Sequence, residues 1–202
     1  MTVKQDQSAK LMQEILKAHY LRLEVLSYDL HENFETGASK IACQVKDMQT
    51  GETQTIEGRG EGVLDAFFHG LKERLTESFT SLKTLRFASF EIRGDLETSR
   101  GQVGTDAEAV AVLVVRNAQG RDFEFRFSSR SILKSGIEAI LEAAEYFVNS
   151  ERAFLTVHAA LDDARKKNRP DLIDKYTNML AVLVENSSYS ELVEQKKRRD
   201  GK

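Results

Sequence analysis

The chain has 202 residues, enough for one well-buried domain with additional helices and short for two full domains. Hydrophobic residues make up 41% of it and charged residues 30%, which predicts an ordinary globular protein, neither disordered nor embedded in a membrane. The formal net charge of -3 gives no overall attraction to nucleic acid or anionic lipid. We therefore expect neither nucleic acid nor a membrane as a partner.

The apolar runs and the cysteine content predict the compartment. The longest apolar runs, residues 109–115 and 179–184, are far shorter than the roughly 20 residues that span a bilayer. The first residues contain no apolar stretch typical of a secretory signal. Cys43 has no second cysteine to pair with, which favours a reducing compartment. We expect a cytoplasmic protein, with Cys43 as a small core residue because it alternates with Ile41 and Val45.

The first part of the chain predicts a helix, three strands and a second helix. An amphipathic helix is predicted over residues 8–19, and alternating apolar residues predict strands at residues 21–25 and 41–45. Thr50-Gly51 predicts a hairpin turn into a third strand over residues 53–57. A glycine-rich segment then leads into the second helix. Its apolar positions are Leu64, Phe67, Phe68, Leu71, Leu75 and Phe79.

The same order of elements recurs in the next part of the chain. The turn at Gln119-Gly120 corresponds to the turn at Gly51. The predicted elements are strands over residues 85–92, 107–116 and 122–128 and a helix from residue 132 to about 148. We therefore predict an α+β fold in which a βββα unit is duplicated and its antiparallel sheets pack against helices.

Beyond residue 150 only helical periodicity remains. Apolar residues at helical spacing, followed by Pro170 as a helix-starting residue, predict a helical hairpin. The predicted organisation is an N-terminal helix (residues 1–20), the duplicated domain (21–149), a helical extension (150–188) and a basic, mobile tail (189–202).

The sequence contains no motif for catalysis. The four histidines stand alone at His19, His31, His69 and His158, without a second ligand at metal-binding spacing. No Gly-x-Ser-x-Gly segment offers an activated serine. We expect no catalytic residue, no metal site and no cofactor, and hence no enzyme.

Three local patterns allow a second interpretation. The glycines at residues 58–62 suit a phosphate loop or, at better odds, a tight turn from strand to helix. Alternating aromatic residues suit base stacking or, more simply, a core: they are Phe123, Phe125 and Phe127. An acidic and aromatic cluster could be an unrecognised enzyme site, although ordinary strand-end polarity explains it more simply: Tyr28, Asp29, His31 and Glu32.

Three short segments carry a resemblance to a known family. Residues 60–66, Gly-Glu-Gly-Val-Leu-Asp-Ala, are similar to a Gly-x-Gly-Pro-x-x-Ala helix entry. Residues 104–107, Gly-Thr-Asp-Ala, stand before the second strand of the second unit and are a further match. Residues 130–135, Arg-Ser-Ile-Leu-Lys-Ser, are similar to a Thr-Asp-Ile-x-x-Ala-Ser opening of the second helix. Over about residues 21–148 the chain resembles the C-terminal regulatory, dimerisation domain of α-isopropylmalate synthase and of citramalate and homocitrate synthases. Val63 replaces the family's Pro, and Ser131 its Asp.

The resemblance implies regulation. In that family the domain binds the end-product amino acid, leucine or isoleucine, near a dimer interface and inhibits a separate catalytic barrel. A barrel of this type needs roughly 250 residues and is absent from this sequence. The resemblance therefore implies a stand-alone effector-binding homodimer in leucine and isoleucine biosynthesis, with a separately encoded synthase subunit as a further partner.

The resemblance also implies an effector site. A helix N-terminus after Gly62 favours the carboxylate of an amino acid, Asp65 or Asp106 favours its ammonium group, and Leu64 favours an apolar side chain. The complete set of implied effector-binding residues is Gly60, Gly62, Leu64, Asp65, Ser89, Arg93, Gly104, Asp106 and Ala107. The alternative is a purely structural homodimer without a ligand site, whose helices after Ser150 bind a partner.

Overall fold

The computed structural model describes the backbone of residues 2–97 and 103–185 and, within them, the side chains outside residues 80, 95–97, 103–107 and 185. Two short 3-10 turns, Lys17–His19 and Thr80–Thr84, precede the first strand of each unit. The helices and strands in chain order are α1 (Val3–Leu16), β1 (Leu23–Glu32), β2 (Ala38–Asp47), β3 (Thr53–Glu61), α2 (Val63–Thr76), β4 (Arg86–Glu97), β5 (Val103–Arg116), β6 (Asp122–Ser129), α3 (Ile132–Lys166) and α4 (Pro170–Glu185).

The predicted duplication is confirmed. Two three-stranded antiparallel sheets have the orders β1-β2-β3 and β4-β5-β6, and a helix follows each of them. We call β1 to α2 unit one and β4 to α3 unit two. The equivalent hairpin turns both place a glycine in the left-handed region, at φ 76° for Gly51 and 75° for Gly120. The fold is therefore α+β, as the sequence predicts.

A single core joins the two units. In the central strand of unit one, Ile41, Cys43 and Val45 are buried, and burial raises the pKa of the Cys43 thiol to about 12. This confirms Cys43 as a core residue. In unit two Phe123 and Phe125 are buried and pack edge-to-face against Phe147 of α3. Their interpretation as core residues is confirmed as well.

The helix of unit two does not end near Val148, contrary to the sequence prediction. α3 continues for 35 residues to Lys166, so the expected boundary between residues 149 and 150 lies inside it. The polar residues Asn149, Ser150 and Glu151 lie within this helix and are buried. Asn149 bonds both backbone groups of Leu21, at 2.7 and 2.9 Å, so its burial costs little.

Both terminal helices pack against α3. α1 begins at Val3 and not at residue 8, because Thr2 and Gln5 form a capping box. The predicted helical hairpin is present, formed by the second half of α3 and by α4. Residues 189–202, the predicted tail, lie outside the described residues. None of the helices in the described part of the chain is long and apolar enough to cross a membrane.

Candidate functional site

The predicted effector site lies where α2 begins. Gly62 is the N-cap residue at φ 87°, where a residue with a side chain would be strained. Its own N–H donates to the Gly37 carbonyl at 3.1 Å, and no side chain caps the helix. A Cβ atom on Gly60 would collide with the Asp65 carboxylate, and one on Gly58 with the Ala66 carbonyl. These glycines therefore allow the first turn of α2 to lie directly on β3.

Asp65 is already engaged by its own loop. One carboxylate oxygen accepts the Glu61 N–H at 3.0 Å, and the other lies 3.6 Å from His69 Nε2. The side chain is still partly exposed, so its negative charge faces solvent beside the start of α2. It can attract a cation there while holding the turn between β3 and α2.

Leu64 fills the space between the two helix N-termini. A Cβ atom on Gly136 of α3 would lie 2.7 Å from Leu64 Cδ2 and 3.3 Å from Phe90 Cζ. Leu64 and Phe90 therefore close the position that the sequence assigned to an apolar effector side chain. The start of α3 is tied to β5 beside them, because the Ser135 hydroxyl donates to the Ala109 carbonyl at 2.7 Å. Ser131, which replaces the family's Asp, still caps α3 by accepting the Lys134 N–H.

Two other predicted residues, Ser89 and Arg93, lie apart from Leu64. Ser89 and Arg93 are exposed on β4 and alternate with Phe90, which packs against the core, so they face the opposite side of the sheet. Arg93 pairs there with Glu91 at 2.7 Å. Gly104, Asp106 and Ala107 belong to the backbone of β5, and their side chains lie outside the described residues. Among the predicted residues whose side chains the structure describes, Gly60, Gly62, Leu64 and Asp65 lie together at the start of α2.

Sequence reasoning missed a groove of about 530 Å³ between β1 and α2. We call it the β1–α2 groove. Leu30 lines one side, Ile41 and Gly58 lie in its floor, and His69 and Glu73 of α2 line the other side. Leu30 pairs with Ile41 across the sheet and so shares its helix-facing side, although it is 36% exposed. Alternation along β1 could have shown that Leu30 faces inward, but not that α2 stops short of it.

The cluster considered as an enzyme site does not converge on one point. Tyr28 and Glu32 pair with buried residues of β2 and face the helix side. Asp29 and His31 pair with Ala42 and Lys40 and face the other side. Among the residues that the structure describes, no group of three His, Cys, Asp or Glu side chains could hold a metal ion.

A half-buried carboxylate joins the two units at the beginning of β1. Glu145 of α3 accepts the Leu23 N–H of β1 at 2.5 Å. Burial raises the pKa of Glu145 to about 7. Burial also raises the pKa of Glu142, one turn earlier on α3. Glu145 sits where α3 contacts the beginning of β1, so its protonation is linked to how firmly the two units hold together.

Comparison with known families gives one match. A family model described as the LeuA allosteric (dimerisation) domain matches residues 2–148. The matched range includes α1, both sheets, α2 and the first half of α3. The second half of α3 and α4 lie outside it. None of the curated proteins compared with this chain matches it.

Proposed function

Because the chain belongs to the LeuA allosteric (dimerisation) domain family, we propose that it binds a branched-chain amino acid, leucine or isoleucine, and acts as a homodimer. The resemblance to the regulatory domain of α-isopropylmalate synthase is confirmed by the match over residues 2–148, and this match carries the proposal. The proposed role is allosteric control in leucine and isoleucine biosynthesis, exerted on a synthase catalytic domain.

The start of α2 is suited to the polar end of an amino acid. Gly62 supplies no side-chain cap, so the first N–H groups of α2 are available to a carboxylate, which the helix dipole also favours. Asp65 lies in the first turn and offers its negative charge to the ammonium group. Together they provide both charges that a free amino acid requires, within one helical turn.

The apolar part of the effector requires a rearrangement. Leu64 occupies the space against Gly136 and Phe90, and its two methyl groups are at the flexible end of a side chain. In our proposal the side chain of the bound amino acid takes the place of Leu64. The exchange of one leucine-sized group for another conserves the buried volume, so its cost in packing is small. It also moves the contact between the two units.

Calorimetric titration of the full chain with leucine, isoleucine, valine and lysine tests the proposal. We expect saturable binding of leucine or isoleucine and none of lysine. Asp65→Asn keeps an acceptor for the Glu61 N–H but removes the charge, and should weaken binding by about tenfold to a hundredfold. Asp174→Ala, which removes an exposed carboxylate on α4, is the matched control and should leave affinity unchanged.

One observation favours a second candidate, a purely structural homodimer. Leu64 and Phe90 already fill the predicted apolar position. Leu64→Ala separates the candidates, because vacating this space should increase the affinity of an effector that must displace Leu64. If neither the wild type nor Leu64→Ala binds any of the four amino acids while dimerisation is intact, the effector function is wrong and the structural function stands.

A further inference from the structure

β1 is an edge strand, and its second part, residues 26–32, is not protected against pairing with another strand. Among the described residues, β2 is the only strand that pairs with β1. The first residues are held by α3, through Asn149 to Leu21 and Glu145 to Leu23. Residues 26–32 contain neither lysine nor proline, the residues that commonly keep edge strands from pairing.

The chain protects another edge in a different way. On β6, the edge strand of unit two, the Gln5 side chain donates to the Glu124 carbonyl at 3.2 Å and accepts its N–H at 3.4 Å. One amide side chain thus satisfies both backbone groups of an edge residue. No comparable contact to residues 26–32 of β1 is present in the described part of the chain. The edge of β1 over residues 26–32 therefore lacks the kind of cover that Gln5 gives to β6.

Exposed apolar side chains follow the same stretch. Leu26 is 53% exposed, Tyr28 37% and Leu30 36%, and Phe34 in the adjoining turn is 93% exposed. The β1–α2 groove extends this apolar surface inward from Leu30. Apolar side chains along an unpaired strand edge mark a surface that pairs with another strand.

The charges on the outer side of this sheet form two rows of opposite sign. Across the three strands, His31 lies beside Lys40, and Lys40 beside Arg59. The neighbouring row contains Asp29, Ala42 and Glu57. One row is therefore basic and the next acidic, and both end at the open edge of β1.

We propose that β1 pairs antiparallel with β1 of a second copy of this chain, about a two-fold axis at Leu30. The proposal rests on the homodimerisation in the proposed function and assigns its interface. The axis places Leu30 opposite the partner's Leu30 and Asp29 opposite the partner's His31. Each acidic row then continues into the partner's basic row, and the two sheets become one of six strands. A C2 dimer requires this kind of self-complementary surface.

Neighbouring registers lack this complementarity. An axis at Asp29 would oppose two carboxylates, which is destabilising for directly opposite residues. An axis at His31 would oppose two imidazoles and set the apolar Leu30 against the partner's Glu32. With the axis at Leu30, even a neutral imidazole donates one N–H to the facing carboxylate. The same axis brings the exposed Phe34 toward the partner's Leu26, since the two residues lie equally far from Leu30.

Sedimentation of the full chain over a range of concentrations tests the interface. Leu30→Arg should raise the dimer dissociation constant by at least about tenfold, because it removes the central apolar contact and opposes two like charges. Leu155→Arg on α3 is the matched control, since Leu155 is 37% exposed and lies outside the proposed interface. Circular dichroism confirms that both variants remain folded.

Two further variants fix the register. His31→Glu alone should weaken the dimer, and adding Asp29→Lys should restore it, because the double variant reverses both charges of each pair. Leu30→Cys should form a disulfide-linked dimer with oxidised glutathione, while the buried Cys43 of the wild type should not.

The outcomes separate this inference from the proposed function. A wild-type chain that is monomeric at every concentration overturns both the homodimer and the β1 interface. A wild-type dimer that Leu30→Arg leaves intact, without cross-linking of Leu30→Cys, overturns the β1 interface alone. Loss of the dimer in Leu30→Arg but not in Leu155→Arg, with rescue by the charge reversal, supports the inference.

Discussion

The two units share one pattern of strands and helix, but the first strand of each is buried to a different extent. In unit two, Phe90 and Ile92 of β4 pack against the core, and Phe90 lies beside Gly136. In unit one, Tyr28 and Leu30 of β1 face the helix side of the sheet and remain more than a third exposed. The unit with the long helix and the terminal helices is covered, whereas the other offers an open strand. Duplicated sequence thus yields one half for stability and one half for association.

One pair of equivalent positions, which hold different residues in the two units, explains part of this difference. By the spacing that relates Gly51 to Gly120, Gly58 of β3 corresponds to Phe127 of β6. Glycine lets α2 approach β3 until Gly70 lies against the Glu57 carbonyl. Unit two instead has a half-buried phenylalanine packed against the core at this position. The closeness of α2 to β3 leaves β1 uncovered.

The largest effect should come from the core of unit two. Phe125→Ala removes a fully buried ring packed on Phe147 and should destabilise the fold by about 3–5 kcal/mol. Leu30→Ala in unit one should cost less than about 0.5 kcal/mol in the monomer, since its side chain is already partly in water. Urea unfolding measures both. Equal costs would show that the two units contribute alike to stability.

The contact between α2 and β3 should come next. Gly58→Ala puts a Cβ atom into the Ala66 carbonyl, a backbone group that cannot rotate away, at a cost of about 3 kcal/mol. Gly94→Ala, in the strand of unit two, meets nothing within 4 Å and serves as the control. Thermal unfolding compares the two variants. A neutral Gly58→Ala would contradict the role of this glycine in the approach of α2.

The carboxylate between the units should make stability depend on pH. The folded state raises the pKa of Glu145 from 4.5 to about 7, so folding favours its protonated form. The stability that the protonated carboxyl contributes is fully present below the pKa of the unfolded state. It is lost as the pH rises through the pKa of the folded state. The free energy of unfolding of Glu145→Gln, measured relative to wild type, should therefore rise by about 2–3 kcal/mol between pH 5 and pH 8. A constant difference between the two proteins across this range would exclude the linkage.

The smallest effect should come from the protected edge of unit two. Gln5→Ala removes both hydrogen bonds to Glu124 and should cost about 1 kcal/mol. It should also expose the β6 edge to a second chain. Sedimentation at high concentration should then detect additional association that the wild type lacks. If none appears, an open edge alone is insufficient for pairing, and the apolar and charged side chains of β1 are the deciding features.

Local patterns predicted most of the fold. Alternation at Ile41, Cys43 and Val45 and the equivalent glycine turns sufficed for the duplicated sheets, because both signals depend on neighbouring residues. The continuation of α3 beyond residue 148 could not be predicted. Asn149 is a polar residue that is buried inside the helix because it bonds to Leu21, which lies far away in sequence.

The candidate site was less predictable than the fold. The glycines at the start of α2 were recognisable, but the filling of the adjacent space by Leu64 depends on Gly136 of the other unit. The exposure of Leu30 depends likewise on where α2 ends. Both depend on contacts between residues that are distant in sequence, which a local pattern does not contain.

The uninterrupted helix α3 has a mechanical consequence. Its 35 residues correspond to a length of about 50 Å, and no proline interrupts them. One end lies against Leu64, and the other carries the hairpin to α4, beyond the range of the family match. A tilt of about 5° at the first turn would displace the far end by roughly 4 Å, given this length. A tilt of α3 as a rigid rod would therefore carry a change beside Leu64 to the hairpin with α4.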